Sequence, residues 1–137
     1  MVIESAIRGV KEWLESFASC VRNRDFEAGE AMFLDDSTGF GTWTKAMKGL
    51  QMLREEQWEK VWRSTKGFHF DIEEGSLLFS DEQAPKQCVA TVTWSSIGLG
   101  VNGEFERSGC ATIVLVCREG IWSAQHTHFS QTPQGKL

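Results

Sequence analysis

Near the start of the chain, apolar residues recur at alternating steps of four and three, with charged residues between them. This spacing predicts one amphipathic helix, whose apolar stripe is Ile3, Ile7, Val10, Leu14, Phe17 and Val21. A short second helix is predicted over about 25–33, before the turn-prone residues 35–39. A third helix is predicted after them, with apolar positions at Met47, Leu50, Leu53, Trp58, Val61 and Trp62.

After Gly67 the apolar pattern changes from the period of a helix to that of a strand. Residues 68–72 and 88–94 alternate, and two more strands are predicted over about 105–118 and 121–130. Helices that precede an antiparallel meander predict an α+β fold with the helices on one face of the sheet. At this length we expect one domain spanning residues 1–137.

Three motifs in this order resemble a known superfamily. They are Gly39-Phe-Gly-Thr42 before a Trp-rich helix, Ala90-Thr-Val-Thr-Trp94, and Thr112 followed by Glu119-Gly-Ile-Trp122 and His126-Thr-His-Phe-Ser130. Together they resemble the nuclear transport factor 2-like (cystatin-like) superfamily. Within it, they are most similar to SnoaL-like domains and to the association domain of calcium/calmodulin-dependent kinase II.

The resemblance implies a cone-shaped fold. N-terminal helices would pack in the concave face of a strongly curved antiparallel or mixed β-sheet, with a pocket inside and a homodimer formed through the sheet. Ketosteroid isomerases, polyketide cyclases, dehydratases, epoxide hydrolases, transport adaptors and kinase assembly domains share this shape. The fold therefore does not fix the function.

The chain departs from its relatives at two kinds of position. Many relatives carry a cavity-facing arginine two residues before the strand threonine, where this chain has Cys110. Arg107 lies three positions further back, on the opposite face from Cys110, so we do not carry over the anion-binding role. We also find no Asp or Glu at a strand position predicted to face inward; Asp71 alternates with apolar Phe70 and Ile72 and is expected to face solvent.

The final hairpin carries two histidines, two residues apart, so both point to one face of a regular strand. If Glu119-Gly120 is a two-residue turn, Ile113 lies opposite His126 and Ala111 opposite His128. That face is largely apolar, so we assign it to the concave side; a bulge would exchange the faces. His126 and His128 are then candidate catalytic acid/base residues or contacts to a polar ligand group, the alternative being a structural role in the core and at a subunit interface.

The aromatic residues suggest where an apolar ligand would bind. The chain has six tryptophans and no tyrosine, and indole offers a large flat surface with a single donor. We predict a ligand site formed by Trp43, Trp58, Trp62, Trp94, Ile113, His126 and His128. The alternative is that most of these tryptophans simply fill the core.

Composition narrows the classes of partner. Net charge is −5 without any basic run, which argues against nucleic-acid binding. The longest apolar run is too short for a membrane span, and the N-terminus does not resemble a signal peptide. The four cysteines show no metal spacing, and with no export signal we expect them to be reduced in a cytoplasmic protein. No metal site or cofactor is predicted.

These observations favour a homodimeric domain that binds an apolar small molecule of unknown identity, with His126 and His128 at the polar end of its pocket. One alternative is a SnoaL-like isomerase, cyclase or hydro-lyase that needs no cofactor and uses His126 or His128 as its acid or base. A second is an oligomerisation module like the kinase association domain.

Overall fold

The computed structural model describes residues 2–42 and 45–133. The helices are α1 (Ile3–Asn23), α2 (Phe26–Glu30), α3 (Leu50–Leu53) and α4 (Glu59–Val61), with a π-helical turn, Arg54–Trp58, between α3 and α4 and a 3₁₀ turn, Trp62–Ser64, after α4. The strands are β1 (Phe33–Phe40), β2 (Met47–Lys48), β3 (Thr65–Phe79), β4 (Gln87–Gly100), β5 (Gly103–Arg118) and β6 (Ile121–Gln131).

The described strands form one mixed sheet in the order β2-β1-β6-β5-β4-β3. The β1–β6 pair is parallel and the other neighbours are antiparallel. The sheet does not close into a barrel, so β2 and β3 are its edges. It curves around the helices, which confirms the predicted α+β cone.

Helix α1 lies against the concave face of the sheet. It buries an apolar stripe that includes Val10, Leu14, Phe17 and Val21, as the spacing predicted. The helix ends at Arg24, whose φ of 54° is left-handed and whose backbone N–H donates to the carbonyls of Cys20 and Val21. Such a reversal satisfies carbonyls that the helix itself leaves unpaired.

Two arginines fasten the end of α1 to the start of β3. The Arg22 guanidinium donates to the Phe68 carbonyl at 2.8 Å, and Arg24 donates to the carbonyls of Trp62 and Thr65 at 3.2 and 3.3 Å. The chain segment that follows the 3₁₀ turn is therefore held against the helix by hydrogen bonds as well as by packing.

The third predicted helix is not a regular helix. Met47 lies in β2, paired with β1, and Gly49 has a φ of 93° that ends this strand before α3 begins. The π-helical turn then directs both Gln57 and Trp58 into the interior, where they are 6% and 1% exposed. A π turn widens the helix by one residue and so changes which side chains face inward.

Aromatic rings fill the space between the helices and the sheet. Trp58 and Trp62 stack with ring centroids 4.7 Å apart, and Phe17 contacts both rings. Phe26 stacks on the other side of Trp62 at 5.1 Å. Trp58 and Trp62 are thus packed in the core, which agrees with the alternative that most of the tryptophans fill the core.

The final hairpin contains a β-bulge that the sequence analysis left open. Cys117 pairs with Trp122 and Leu115 with Ala124, as a two-residue turn at Glu119-Gly120 requires, but Val114 then pairs with His126, leaving Gln125 as an extra residue. The predicted pairing of Ile113 with His126 is wrong for this reason. Past the bulge, Thr127 and Phe129 face inward and the two histidines face outward.

A matched pair of substitutions tests this register. We expect Thr127→Asp to destabilise the fold by at least about 3 kcal/mol, because Thr127 is buried and the new carboxylate would have no partner. Ser130→Asp, at an exposed position of the same strand, should change the free energy of unfolding by no more than about 0.5 kcal/mol. Urea unfolding of both variants measures the difference, and the reverse order of effects would restore the register without a bulge.

Candidate functional site

A small cavity lies between the end of α1, the π-helical turn and the concave face of the sheet. Its volume is about 40 Å³, enough for about three water molecules. Its walls are mostly aromatic and aliphatic; the lining residues are Phe17, Val21, Thr42, Gln57, Trp58, Val61, Trp62, Thr65, Phe68, Trp94, Arg107 and Phe129.

Three of the predicted ligand-binding tryptophans, Trp58, Trp62 and Trp94, line this cavity. Trp43 lies outside the described residues. Ile113 is fully buried in the core but is not part of the lining. Three of the seven residues named from the sequence thus line this cavity, and their contact with a ligand stays a prediction.

Arg107 is the charged group of the cavity. It lies on the inward face of β5, in alternation with Gly109, Ala111 and Ile113, and is only 7% exposed. Its guanidinium carbon is 5.2 Å from the centre of the Trp94 ring. Burial lowers the pKa of Arg107 from its ordinary value, because the cation is partly removed from water.

Arg107 and Cys110 lie on opposite faces, as predicted, but the cavity does have an arginine, which was not assigned from the sequence. Cys110 is exposed on the outer face and Arg107 points inward. The signal was present in the strand pattern, since counting back by twos from Ile113 leads through Ala111 and Gly109 to Arg107.

Several buried polar side chains lie around this region without a side-chain hydrogen bond to any described residue. Within residues 2–42 and 45–133, none of the six makes a side-chain hydrogen bond; they are Ser37, Gln57, Thr65, Ser96, Arg107 and Thr127. Gln57, Thr65 and Arg107 line the cavity, and Ser96 is the cross-strand neighbour of Arg107. Buried polar groups in folded proteins are normally satisfied, so this cluster can accept a polar ligand or water.

A larger vestibule adjoins the cavity. Its volume is about 650 Å³, and Val61, Thr65 and Arg107 belong to both linings. Lys45 and Lys60 lie on its rim together with Glu56, whose carboxylate is 3.3 Å from the Lys60 ammonium. The formal charge of the lining is therefore positive in a chain whose net charge is −5, which favours anions at this mouth.

The inner cavity offers little for acid/base catalysis. Among the described residues that line it there is no Asp, Glu or His. Its polar groups are an amide, two hydroxyls and a guanidinium, which bind and orient a ligand at neutral pH rather than exchange protons with it.

The two histidines of β6 occupy the outer face of the sheet. His126 is half-buried, and its Nδ1 is 2.8 Å from the Thr38 hydroxyl. The Phe40 ring makes edge contacts with His126 and His128, at 5.0 and 5.2 Å between centroids. Burial, and secondarily the neighbouring His128, lower the pKa of His126, so its neutral form is favoured. The predicted inward orientation of both rings is wrong because of the bulge.

These histidines belong to two rows of the outer face that contain no Asp, Glu, Lys or Arg. One row across the sheet is Thr38, His126, Val114 and Val89, and the next is Phe40, His128, Thr112 and Thr91. We call these two rows the outer rows. Phe40 is 43% exposed among them.

The described residues contain neither a membrane-spanning helix nor a cluster of metal ligands. No helix among them is both long and apolar enough to cross a membrane. In the same residues, no group of three or more His, Cys, Asp or Glu side chains is arranged to hold a metal ion.

Solved structures of low sequence identity share this fold. A nuclear transport factor 2-like superfamily protein from Salmonella enterica serovar Typhimurium is 10% identical, with a TM-score of 0.79 over 98% of this chain and 96% of that one. A ketosteroid isomerase-like protein from Erwinia carotovora atroseptica is 11% identical, with a TM-score of 0.75 over 93% and 97%. A protein from Xanthomonas campestris, assigned as a calcium/calmodulin-dependent protein kinase II association domain, is 15% identical, with a TM-score of 0.77 over 93% and 89%.

At such identities the likeness concerns the fold alone, and no curated protein matches the sequence. Comparison of the sequence with a family profile identifies the family. A profile of the SnoaL-like domain matches residues 10–134, which include the cavity, Arg107 and the final hairpin. The chain therefore belongs to the SnoaL-like domain family of the nuclear transport factor 2-like fold.

Proposed function

We propose that this domain binds a flat, largely apolar small molecule that carries an anionic group, with the anion on Arg107. The observation that carries the proposal is the buried Arg107 guanidinium, which stacks on Trp94 and has no acidic partner among the described residues. The sequence led us to expect His126 and His128 to contact the polar group of the ligand. In the present proposal Arg107, Gln57 and Thr65 contact it instead.

The energetics of burial support an anionic ligand. A buried charge without a partner costs several kcal/mol, and a carboxylate bound to it would recover much of that cost. Guanidinium and carboxylate also match in shape, forming two parallel hydrogen bonds. Gln57 and Thr65 could then bind the remaining oxygen lone pairs.

The dimensions of the site indicate how such a ligand would fit. The inner cavity, at about 40 Å³, is too small for an aromatic ring, whereas the vestibule, at about 650 Å³, is in the range of small-molecule pockets. The apolar body would rest in the vestibule against Met52, Leu99 and Phe105, and its anionic group would reach Arg107 at the boundary.

Binding is favoured over catalysis. Relatives with this fold include a ketosteroid isomerase-like protein, and an isomerase, cyclase or hydro-lyase needs a group that moves a proton. The described lining of the inner cavity contains no such side chain, and the one carboxylate in the described lining of the vestibule, Glu56, is paired with Lys60. An acid/base role for His126 or His128 stays a prediction, and it would operate on the outer face.

Two aromatic probes that differ in charge test the ligand proposal. Naphthoate should bind at least about tenfold more tightly than the neutral naphthamide, because only the carboxylate forms charged hydrogen bonds with Arg107. Arg107→Gln and Arg107→Met should remove this preference, as measured by calorimetry.

Arg63→Gln is the matched control, since the Arg63 guanidinium lies over the Phe26 ring and is not part of either lining. It should keep the preference for naphthoate. Equal affinity of the wild-type protein for both probes would contradict an anion site, and binding of neither would contradict an aromatic-ligand site of this size.

We further propose that a second copy of the chain covers the outer rows, giving a homodimer through the sheet. Charged residues are depleted at the centre of protein interfaces, and the outer rows lack Asp, Glu, Lys and Arg altogether. In a twofold dimer the same patch meets itself, so an uncharged patch avoids the repulsion that like charges would cause.

One exposed substitution tests the dimer. Thr91→Lys should produce a monomer, because two like charges would be brought together at the proposed interface. Ser5→Lys, at an exposed position of α1, should leave the dimer intact. Light scattering gives the mass of each variant; a monomeric wild-type protein would refute the dimer, and a larger ring would instead favour the oligomerisation module.

A further inference from the structure

A second polar constellation lies on the outer face, two rows away from Phe40 and His128. It crosses three strands in one row: His69 on β3 pairs with Ser95 on β4, and Ser95 pairs with Ser108 on β5. Paired residues point to the same face of a sheet, so an imidazole and two hydroxyls lie side by side. None of these residues lines the cavity proposed for the ligand.

The imidazole and the first hydroxyl are directly hydrogen-bonded. Ser95 Oγ is 2.8 Å from His69 Nε2, and His69 Nδ1 is 3.1 Å from the Gly67 carbonyl oxygen. A carbonyl only accepts, so in the neutral ring the proton belongs on Nδ1. Nε2 is then the acceptor, and the Ser95 hydroxyl donates to it.

The local backbone explains why the carbonyl can orient the ring. Gly67 has a φ of 66°, and the pairing of β3 with β4 shifts between Lys66 and His69. A left-handed glycine within such an irregularity is free to turn its carbonyl out of the regular ladder. The Gly67 carbonyl thus takes the orienting position beside His69 that a carboxylate holds in a Ser-His-Asp triad.

The pair is accessible from solvent. His69 is exposed and Ser95 is half-buried, and both line a groove of about 490 Å³. Ser108 lies next to Ser95 in this groove, its Oγ 3.1 Å from the Thr132 hydroxyl. The Ser108 hydroxyl, on the residue paired with Ser95, is a side-chain donor on the same face for an oxyanion that forms at Ser95.

We propose that Ser95 and His69 form a nucleophilic dyad that accepts the acyl group of small esters. Ser95 Oγ attacks the ester carbonyl carbon while His69 Nε2 takes the hydroxyl proton. The tetrahedral intermediate collapses with cleavage of the carbon–oxygen bond, and the imidazolium returns its proton to the leaving alkoxide. Water, activated by the same imidazole, then releases the acid and restores Ser95. The open groove with small side chains at Thr93 and Ser108 suits short acyl groups.

The experiment uses para-nitrophenyl acetate with the intact protein. We expect release of nitrophenolate together with an acetyl group on Ser95, located by peptide mass spectrometry. Ser95→Ala should abolish this adduct. His69→Gln should slow its formation by roughly 100-fold, the contribution expected of a general base.

Ser76→Ala is the matched control, since Ser76 is an exposed serine of the neighbouring strand β3 without an imidazole contact among the described residues. It should react like the wild-type protein. Acetylation confined to lysines or the N-terminus, or acetylation of Ser95 at an unchanged rate in His69→Gln, would overturn the proposal. If Ser95→Ala does not fold, the His69→Gln rate and the mapped adduct decide the question.

Discussion

The single extra residue in β6 determines how the two faces of the sheet are used. Because Gln125 interrupts the alternation, Ala124 and Thr127 both contribute to the buried side although they are three residues apart. The parallel pairing with β1 resumes immediately after this point, Thr38 opposite His126. Core, cavity and outer surface at this end of the molecule all depend on this insertion, since a bulge adds twist and changes the phase of the strand.

The polar groups proposed to bind or to react lie where regular secondary structure is interrupted. The π-helical turn presents Gln57 to the cavity, and an irregular stretch of β3 presents the Gly67 carbonyl to His69. In a regular helix or ladder these groups would be satisfied by backbone geometry or would face elsewhere. Proteins tolerate such local cost where it positions a side chain or a carbonyl.

The sequence predicted the elements whose signal is local and repeated. The apolar stripe of α1, the alternation of the strands and the turn at Glu119-Gly120 all correspond to the structure. The apolar pattern did not locate the bulge, because Gln125 has no chemical feature that distinguishes it from its neighbours in the strand. One signal was available: Phe129 is out of phase with Trp122 and Ala124, and a bulge is the simplest way to bury all three.

In the cavity, too, some residues could be predicted from the sequence and others could not. The tryptophans were recognised because large aromatic residues are few and their burial is nearly certain. Arg107 was not assigned to the cavity because the arginine of the relatives falls at Cys110, on the opposite face, and only the phase that Arg107 shares with Ile113 indicated that it points inward. The partnerless state of Gln57 and Thr65 depends on tertiary distances, which no spacing along the chain contains.

The edge strand β3 has a further consequence for the protein in concentrated solution. It is fifteen residues long and is unpaired on one side among the described strands. Such an edge would be a template for strands of other molecules if it were straight and apolar. It is neither: its register shifts twice, near Gly67 and again between Asp71 and Ser76, and it carries Lys66, Glu73 and Glu74. The same irregularity that turns a carbonyl toward His69 thereby keeps the sheet from growing by edge-to-edge aggregation.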